Sequence, residues 1–118
     1  MINSYKDLIV WQKSIDLVTE IYKITELFPE SEMYGIVSQM RRAAVSIPLN
    51  IAEGRKRSTR KDFRQFLIMA YASASELETQ IEISKRLNFL KIDKYAKADS
   101  LLLEVLKMLN KMTCLLKS

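Results

Sequence analysis

The sequence has no histidine, one cysteine, two glycines and two prolines. Without histidine, the chain has no His-based catalytic triad, lacks the commonest general base and cannot form most of the usual zinc sites. A single cysteine, Cys114, excludes an internal disulfide and fits a reducing compartment. Because sheets and their turns need many glycines and prolines, the scarcity of both favours a few long helices joined by short loops.

Neither a signal peptide nor a membrane-spanning segment is apparent. No basic stretch followed by an apolar stretch opens the chain, as it would in a secretory signal. The richest apolar run, residues 101–116, is interrupted by Glu104, Lys107, Asn110 and Lys111, so it does not predict a membrane span. With 48% hydrophobic and 28% charged residues, the composition is that of a globular protein. We expect one cytoplasmic domain over residues 1–118, with no membrane partner.

Four segments carry apolar residues at alternating three- and four-residue spacings, which predicts four helices. The expected bounds are Lys6 to Leu27, Ser31 to Gly54, Ser58 or Thr59 to Asn88, and Asp93 onward. Because the three connections are short, consecutive helices should pack antiparallel. The sequence therefore predicts an all-α fold, an up-down-up-down antiparallel four-helix bundle that oligomerises.

Local signals mark where these helices begin and end. Ser4, Ser31 and Thr59 are candidate N-caps. Pro29 ends the first helix, because the residue before a proline avoids the helical region. Gly54 is expected to close the second helix in the left-handed conformation.

Pro48 lies inside the apolar pattern of the second helix. A proline there removes one amide donor and clashes with the carbonyl of Ala44. Two interpretations remain open: the helix ends at Ile47, or it continues with a kink to Gly54. The apolar period persists to Ile51, which favours the kinked helix.

The first helix carries two apolar sets that could face the core. The main stripe is Leu8, Trp11, Ile15, Val18 and Tyr22, and the flanking set is Val10, Leu17, Ile21 and Ile24. We expect the main stripe to form the core contact and the flanking set to widen the buried face beyond one coiled-coil seam. Cys114, on the fourth helix, is expected to be a small buried hydrophobe.

Apolar residues exceed the need of one core stripe on two helices. Those of the fourth helix are Leu101, Leu103, Leu106, Met108 and Leu115, and those on one flank of the second are Val45, Leu49 and Ala52. Such an excess indicates deep burial or a second interface, and we expect a homo-oligomer.

The excess positive charge lies in one segment, residues 41–64. Its eight basic residues are Arg41, Arg42, Arg55, Lys56, Arg57, Arg60, Lys61 and Arg64. Opposed only by Glu53 and Asp62, they give the segment a net charge of +6, against −1 for the rest of the chain. With a helix N-terminus close by, this pattern predicts a site for nucleic acid or another polyanion at these eight residues. A solvated charged loop is the alternative, and the sequence supports both about equally.

No catalytic or metal site is predicted, and no cofactor is expected. Glu76, Glu78 and Glu82 lie on one helix, where the ordinary interpretation is an ion pair such as Glu82 with Arg86 at i,i+4. The serines lack any histidine to activate them. Arg42 has an alternative structural role as the partner of an acid such as Glu76 across helices.

Three blocks of the sequence resemble the bacterial proteins encoded within intervening sequences of 23S ribosomal RNA genes. The blocks are Tyr5–Lys13, Gln39–Gly54 and Glu76–Gln80, of which Ser-Ile-Pro-x-Asn-Ile-Ala-Glu-Gly (residues 46–54) is the most specific. The accessory proteins of diversity-generating retroelements look similar in architecture. The resemblance covers nearly the whole chain.

This resemblance implies a homo-oligomer, by analogy a pentamer, with a positively charged surface and no established enzymatic activity. It also implies association with nucleic acid, RNA or DNA, with RNA favoured. The alternative is an oligomeric scaffold that docks a protein partner and has no nucleic-acid role.

Overall fold

A computed structural model describes residues 4–117, most of which lie in four long helices. These are α1 (Ile9–Thr25), α2 (Ser38–Arg55), α3 (Arg60–Arg86) and α4 (Ala96–Leu115). Short 3-10 turns lie at Tyr5–Asp7, Glu30–Glu32 and Ile92–Tyr95, and a wider π-type turn at Met33–Val37 leads into α2. The helices pack antiparallel in a bundle of 44 × 24 × 22 Å. The predicted all-α four-helix bundle is therefore confirmed.

The helix starts follow the sequence signals only in part. Thr59 caps α3 as predicted, because its Oγ1 accepts a hydrogen bond from the Asp62 amide (3.1 Å). Ser4 caps the short turn before α1 instead of α1 itself, accepting from the Lys6 amide (3.1 Å). Ser31 lies within a 3-10 turn, and α2 begins only at Ser38.

Pro48 lies within a continuous α2. The helix extends past it to Arg55, so the interpretation in which the helix ends at Ile47 is wrong. An internal proline costs a helix about 3 kcal/mol, which packing must offset. Pro48 is buried at the edge of a groove that Trp11 and Val18 of α1 also line, and the burial of its ring contributes to that compensation.

The flanking set forms the core line of α1, and the predicted main stripe is only partly buried. Leu8, Trp11 and Val18 of that stripe pack against the core from its edge. The four residues of the flanking set are at most 3% exposed, whereas Ile15 and Tyr22 of the main stripe are 36% and 43% exposed. Ser14 accounts for the error. It lies fully buried on the core line, where its hydroxyl donates to the Trp11 carbonyl (2.7 Å), and it breaks the apolar period of that line.

α4 places part of its apolar excess in the core. Leu101 and Leu106 are buried, while Leu103 and Leu115 are 51% and 68% exposed. Cys114 is exposed, which corrects the expectation of a buried thiol. Its neighbour Thr113 turns toward the bundle in its place.

α2 and α3 form the most extensive helix pair of the bundle. Ala70 and Ala74 of α3 are fully buried, and the hydroxyls of Ser46 and Ser73 are hydrogen-bonded across the pair (2.9 Å). Asn50 supports this contact by donating its Nδ2 to the Ser46 carbonyl (2.9 Å). Small side chains at the contact let the two backbones approach closely.

Gly54 belongs to this close contact and not to a helix cap. No glycine in residues 4–117 has a positive φ, so the predicted left-handed closure of α2 is wrong. Gly54 is buried, and a Cβ added there would lie 2.7 Å from the Phe66 Cβ and 3.1 Å from Phe63 Cδ1. The position needs glycine because no side-chain atom fits between α2 and α3.

Replacing Gly54 with alanine should therefore destabilise the fold, although alanine is the better helix former. Overpacking costs roughly 1–3 kcal/mol, whereas the gain in helix propensity is at most about 1 kcal/mol. We expect the free energy of unfolding of Gly54→Ala, measured by urea denaturation, to fall by about 1–2 kcal/mol. Ala72→Gly is the control. This α3 position is exposed, so the exchange of alanine for glycine there measures the difference in helix propensity without any change in core packing. A stabilised Gly54→Ala variant would disprove the close-contact explanation.

Candidate nucleic-acid interface

The antiparallel topology collects positive charge at one end of the bundle. The start of α1, the α2–α3 connection and the end of α4 meet there, and we call this the basic end (residues 4–7, 53–65 and 111–117). It carries nine basic and three acidic residues, against ten basic and eleven acidic in the rest of the chain. Its net charge is thus +6, and that of the remainder is −1.

Three contacts hold the segments of the basic end together. The Lys56 Nζ lies 5.5 Å from the centre of the Tyr5 ring, which joins the α2–α3 connection to the start of α1. Arg60 Nη2 donates to the Leu115 carbonyl (3.0 Å), and Arg64 Nε donates to the Thr113 carbonyl (2.9 Å). The last carbonyls of a helix lack intrahelical donors and carry partial negative charge, so the two arginines cap α4.

A groove of about 560 Å³ opens between the start of α3 and the end of α4. Its lining residues are Arg60, Lys61, Arg64, Gln65, Leu116 and Lys117. The two capping arginines use only part of their donor capacity on α4, since a guanidinium has five N–H groups. With Lys61 and Lys117, they leave the groove rich in donors and positive charge.

The basic side chains of the α2–α3 connection differ in their contacts within the chain and in their exposure to solvent. Arg57 pairs with Glu53 (2.9 Å) and lies over the Phe66 ring (4.7 Å). Arg55 is half-buried at the end of α2, whereas Lys56 is exposed. Lysine therefore supplies much of the solvent-facing charge at the basic end.

Arg41 belongs to the opposite end of the bundle. It lies about 20 Å from Arg55 along α2, at 1.5 Å per residue. Its Nε donates to Thr25 Oγ1 (3.0 Å), its Nη2 pairs with Glu26 (3.2 Å), and its guanidinium lies 4.5 Å from the Tyr22 ring centre. Its side chain is 19% exposed. Arg41 thus fastens α2 to α1.

Arg42 is exposed at the same opposite end, beside a groove with Tyr22 and Tyr34. Within residues 4–117 it forms no ion pair, so the suggested pair with Glu76 is not made. The structure therefore separates the eight predicted site residues into six at the basic end and two that lie away from it.

The basic end also contains residues that sequence reasoning missed: Lys6, Lys111 and Lys117. They are distant in sequence from the 41–64 segment, and only the topology brings them near it. The signal was available, because an up-down-up-down bundle always places its first helix start and last helix end beside the second connection.

The carboxylates have the ordinary role that was predicted. Arg86 Nε pairs with Glu82 at i,i+4 (3.0 Å), and Gln80 Nε2 donates to Glu76 (3.3 Å). In the part of the chain that the structure describes, no group of three or more Cys, Asp or Glu residues could hold a metal ion. Among those same residues, no helix has the length and hydropathy that crossing a bilayer requires.

These features define the class of the protein as a single antiparallel four-helix bundle with a basic end. The profile of the 23S rRNA-intervening sequence proteins matches residues 6–111, and the chain belongs to this family. The fold is similar to the crystal structure of a protein with unknown function from the S23 ribosomal protein family of Bacteroides thetaiotaomicron. That similarity has a TM-score of 0.82 and 25% sequence identity, over 89% of this chain and 98% of the other. No protein of curated function matches the chain. The family has unknown function and no known catalytic activity.

The contrast between Arg41 and Arg42 gives a direct stability test. We expect Arg41→Met to lower the free energy of unfolding by about 1–2 kcal/mol, because it loses charge-assisted hydrogen bonds and a cation–π contact. Arg42→Met, at the neighbouring exposed position, should change it by less than about 0.5 kcal/mol. Thermal and urea unfolding of both variants measure the difference. Equal effects would contradict the structural role given to Arg41.

Proposed function

We propose that the protein is a non-enzymatic, cytoplasmic homo-oligomer that binds RNA through its basic end. The observation that carries the proposal is the segregation of charge, +6 at one end of the bundle and −1 over the rest. A field of one sign attracts a polyanion and raises its association rate. Scattered surface charge of the same total would not have this effect.

Binding would use phosphates more than bases. The exposed lysines Lys56, Lys61, Lys111 and Lys117 act as hydrated point charges, and the groove between α3 and α4 supplies guanidinium donors. Contacts of this kind position a nucleic acid without reading its sequence. The preference for RNA over DNA rests on the family resemblance alone.

Self-association is the second part of the proposal. α1 and α2 share a face, called here the α1/α2 face, that includes Ile15, Tyr22 and Leu49, with 36%, 43% and 64% exposure. Beyond them lies Tyr34, which is 97% exposed. Exposed aromatic and apolar residues in one strip are typical of protein interfaces. The number of subunits, five, rests on the resemblance. The same strip also supports the alternative of a scaffold for a different protein partner.

The RNA proposal is tested with two matched sets of lysine variants. One variant replaces the four exposed lysines of the basic end, Lys56, Lys61, Lys111 and Lys117, with glutamine. The control replaces four exposed lysines outside the basic end: Lys23, Lys91, Lys94 and Lys97. Both lose the same net charge, so a difference between them reports position.

The measurement is a titration of each variant against single-stranded RNA, hairpin RNA and duplex DNA at low and moderate salt. We expect the basic-end variant to bind RNA about tenfold or more weakly, with a salt slope smaller by up to about 3, because fewer counterions are released. The control should retain most of the affinity. No binding by the wild type at low salt, or equal losses in the two sets, would exclude the basic end as an RNA site and favour the scaffold.

The wild-type mass in solution tests self-association separately. We expect light scattering at micromolar concentration to give an assembly larger than a dimer, with five subunits as the specific expectation. A monodisperse monomer would contradict this part of the proposal while leaving the RNA test unaffected.

A further inference from the structure

The groove between the start of α3 and the end of α4, called here the basic groove, holds positive charge that no lining residue offsets. Its lining residues are Arg60, Lys61, Arg64, Gln65, Leu116 and Lys117, none of which is acidic. Elsewhere at the basic end an acid offsets part of the charge, since Glu53 pairs with Arg57 (2.9 Å). Four cationic side chains therefore border a space of about 560 Å³ from two sides.

Two arginines of the basic groove are fixed by the fold. Arg64 Nε donates to the Thr113 carbonyl (2.9 Å), and Arg60 Nη2 donates to the Leu115 carbonyl (3.0 Å). They are neighbours at i,i+4 on α3, where Cβ atoms lie about 5–6 Å apart. Arg64 keeps the four N–H groups of its terminal nitrogens for another acceptor. Because the fold already orders both side chains, binding a ligand there costs less conformational entropy.

The end of α4 opposes an anion in the basic groove less than a bare helix end would. The last carbonyls of a helix carry partial negative charge, about half a unit in total, which disfavours a nearby anion. Here two of those carbonyls, of Thr113 and Leu115, accept hydrogen bonds from arginine. Each guanidinium carries a full positive charge, so the field in the groove stays positive.

RNA offers two kinds of phosphate to such a groove. An internal phosphodiester carries one negative charge, whereas a terminal phosphate monoester carries about −1.5 to −2 at pH 7 and has three acceptor oxygens. At equal distance, the attraction to the four cations is therefore close to twice as strong for the monoester. Arginine also binds phosphate oxygens in bidentate pairs. Beside the cations, Leu116 and Gln65 supply an apolar surface and an amide group for the terminal nucleoside.

We infer that the basic groove binds the terminal phosphate of an RNA strand, so that the protein recognises RNA ends and not only the charge along the strand. The inference rests on the RNA binding proposed above and names the part of the RNA that enters the groove. Arg60 and Arg64 bind the phosphate oxygens, and Lys61 and Lys117 add positive charge from the two walls. A 5′-phosphate and a 3′-phosphate share this chemistry, and the experiment separates them.

Short single-stranded RNAs of one sequence test the preference. They end in a 5′-phosphate, in a 3′-phosphate or in hydroxyl groups only, and the measured quantity is the ratio of their dissociation constants. A fourth RNA, two nucleotides longer with hydroxyl ends, matches the total charge of the phosphorylated RNAs, because each added diester contributes about one charge. We expect at least one phosphorylated RNA to bind about fivefold or more tightly than both hydroxyl RNAs, since it adds charge-assisted hydrogen bonds.

Two matched pairs of variants locate the preference. Gln65→Glu places an acid in the basic groove, and Gln39→Glu places the same charge at an exposed α2 position outside the basic end. Arg64→Lys keeps the charge of the groove but removes the bidentate donors, and Arg57→Lys makes the same change outside the groove. Gln65→Glu and Arg64→Lys should lose most of the phosphate preference, and their controls should keep it. Because Gln65 is exposed, its variant is informative even if Arg64→Lys loses stability, which circular dichroism checks.

The pH dependence gives a second readout. The second ionisation of a phosphate monoester has a pKa of about 6, and the chain has no histidine to change its own charge in this range. Since the groove favours the dianion, the preference should be complete at about pH 7.5 and should fall toward about pH 5, as the monoester takes up a proton. An equal preference at both pH values would exclude recognition through the charge of the phosphate.

The outcomes separate this inference from the proposal on which it depends. A wild type that binds no RNA overturns both. A wild type that binds all four RNAs with equal affinity overturns the recognition of ends and leaves binding through the basic end in place. A preference that persists in Gln65→Glu and in folded Arg64→Lys assigns the terminal phosphate to another part of the surface and overturns the role of the basic groove.

Discussion

The close contact between α2 and α3 determines much of the surface of this protein. Gly54 lets the end of α2 approach Phe66 of α3, and the hydrogen bond between Ser46 and Ser73 fixes how far the two helices slide past each other. This register of the two helices sets the position of the α2–α3 connection. It also sets the relative height, along the bundle, of groups on opposite faces. A shift of one turn, about 5.4 Å, would move the connection and its charges relative to the end of α4.

The arginines of the basic end both hold the fold together and contribute surface charge. A count of charged residues does not distinguish these two roles. Arg60 and Arg64 cap the last carbonyls of α4, and Arg57 pairs with Glu53. Their charge still contributes to the field at this end, but their geometry is fixed by the fold. The freely exposed groups are mainly lysines, which suit diffuse attraction to phosphate more than the bidentate contacts that arginine makes. These side chains suit the binding by charge and shape that we propose.

The sequence alone predicted the helices, their antiparallel order and the Thr59 cap, because apolar periodicity and capping are local properties. It failed where contacts between residues distant in sequence determine which side chains are buried. Ser14 is buried by hydrogen-bonding its own helix, which hid the true core line of α1. Gly54 is required by Phe66, a residue on another helix, and not by the backbone conformation of a cap. The charge run was visible in the sequence, but the structure divides it, because Arg41 and Arg42 lie away from the basic end while Lys111 and Lys117 belong to it.

Self-association and RNA binding, the two parts of the proposed function, are linked through charge. Side-by-side bundles with a common direction would gather several +6 ends on one rim of the assembly, where they repel one another. A polyanion on that rim neutralises the repulsion and contacts several subunits at once, so the assembly binds it more tightly than one chain does. By thermodynamic reciprocity, the polyanion must then stabilise the assembly by the same factor. Added salt would act in opposite directions on the two processes, weakening the RNA contact while it screens the repulsion between subunits.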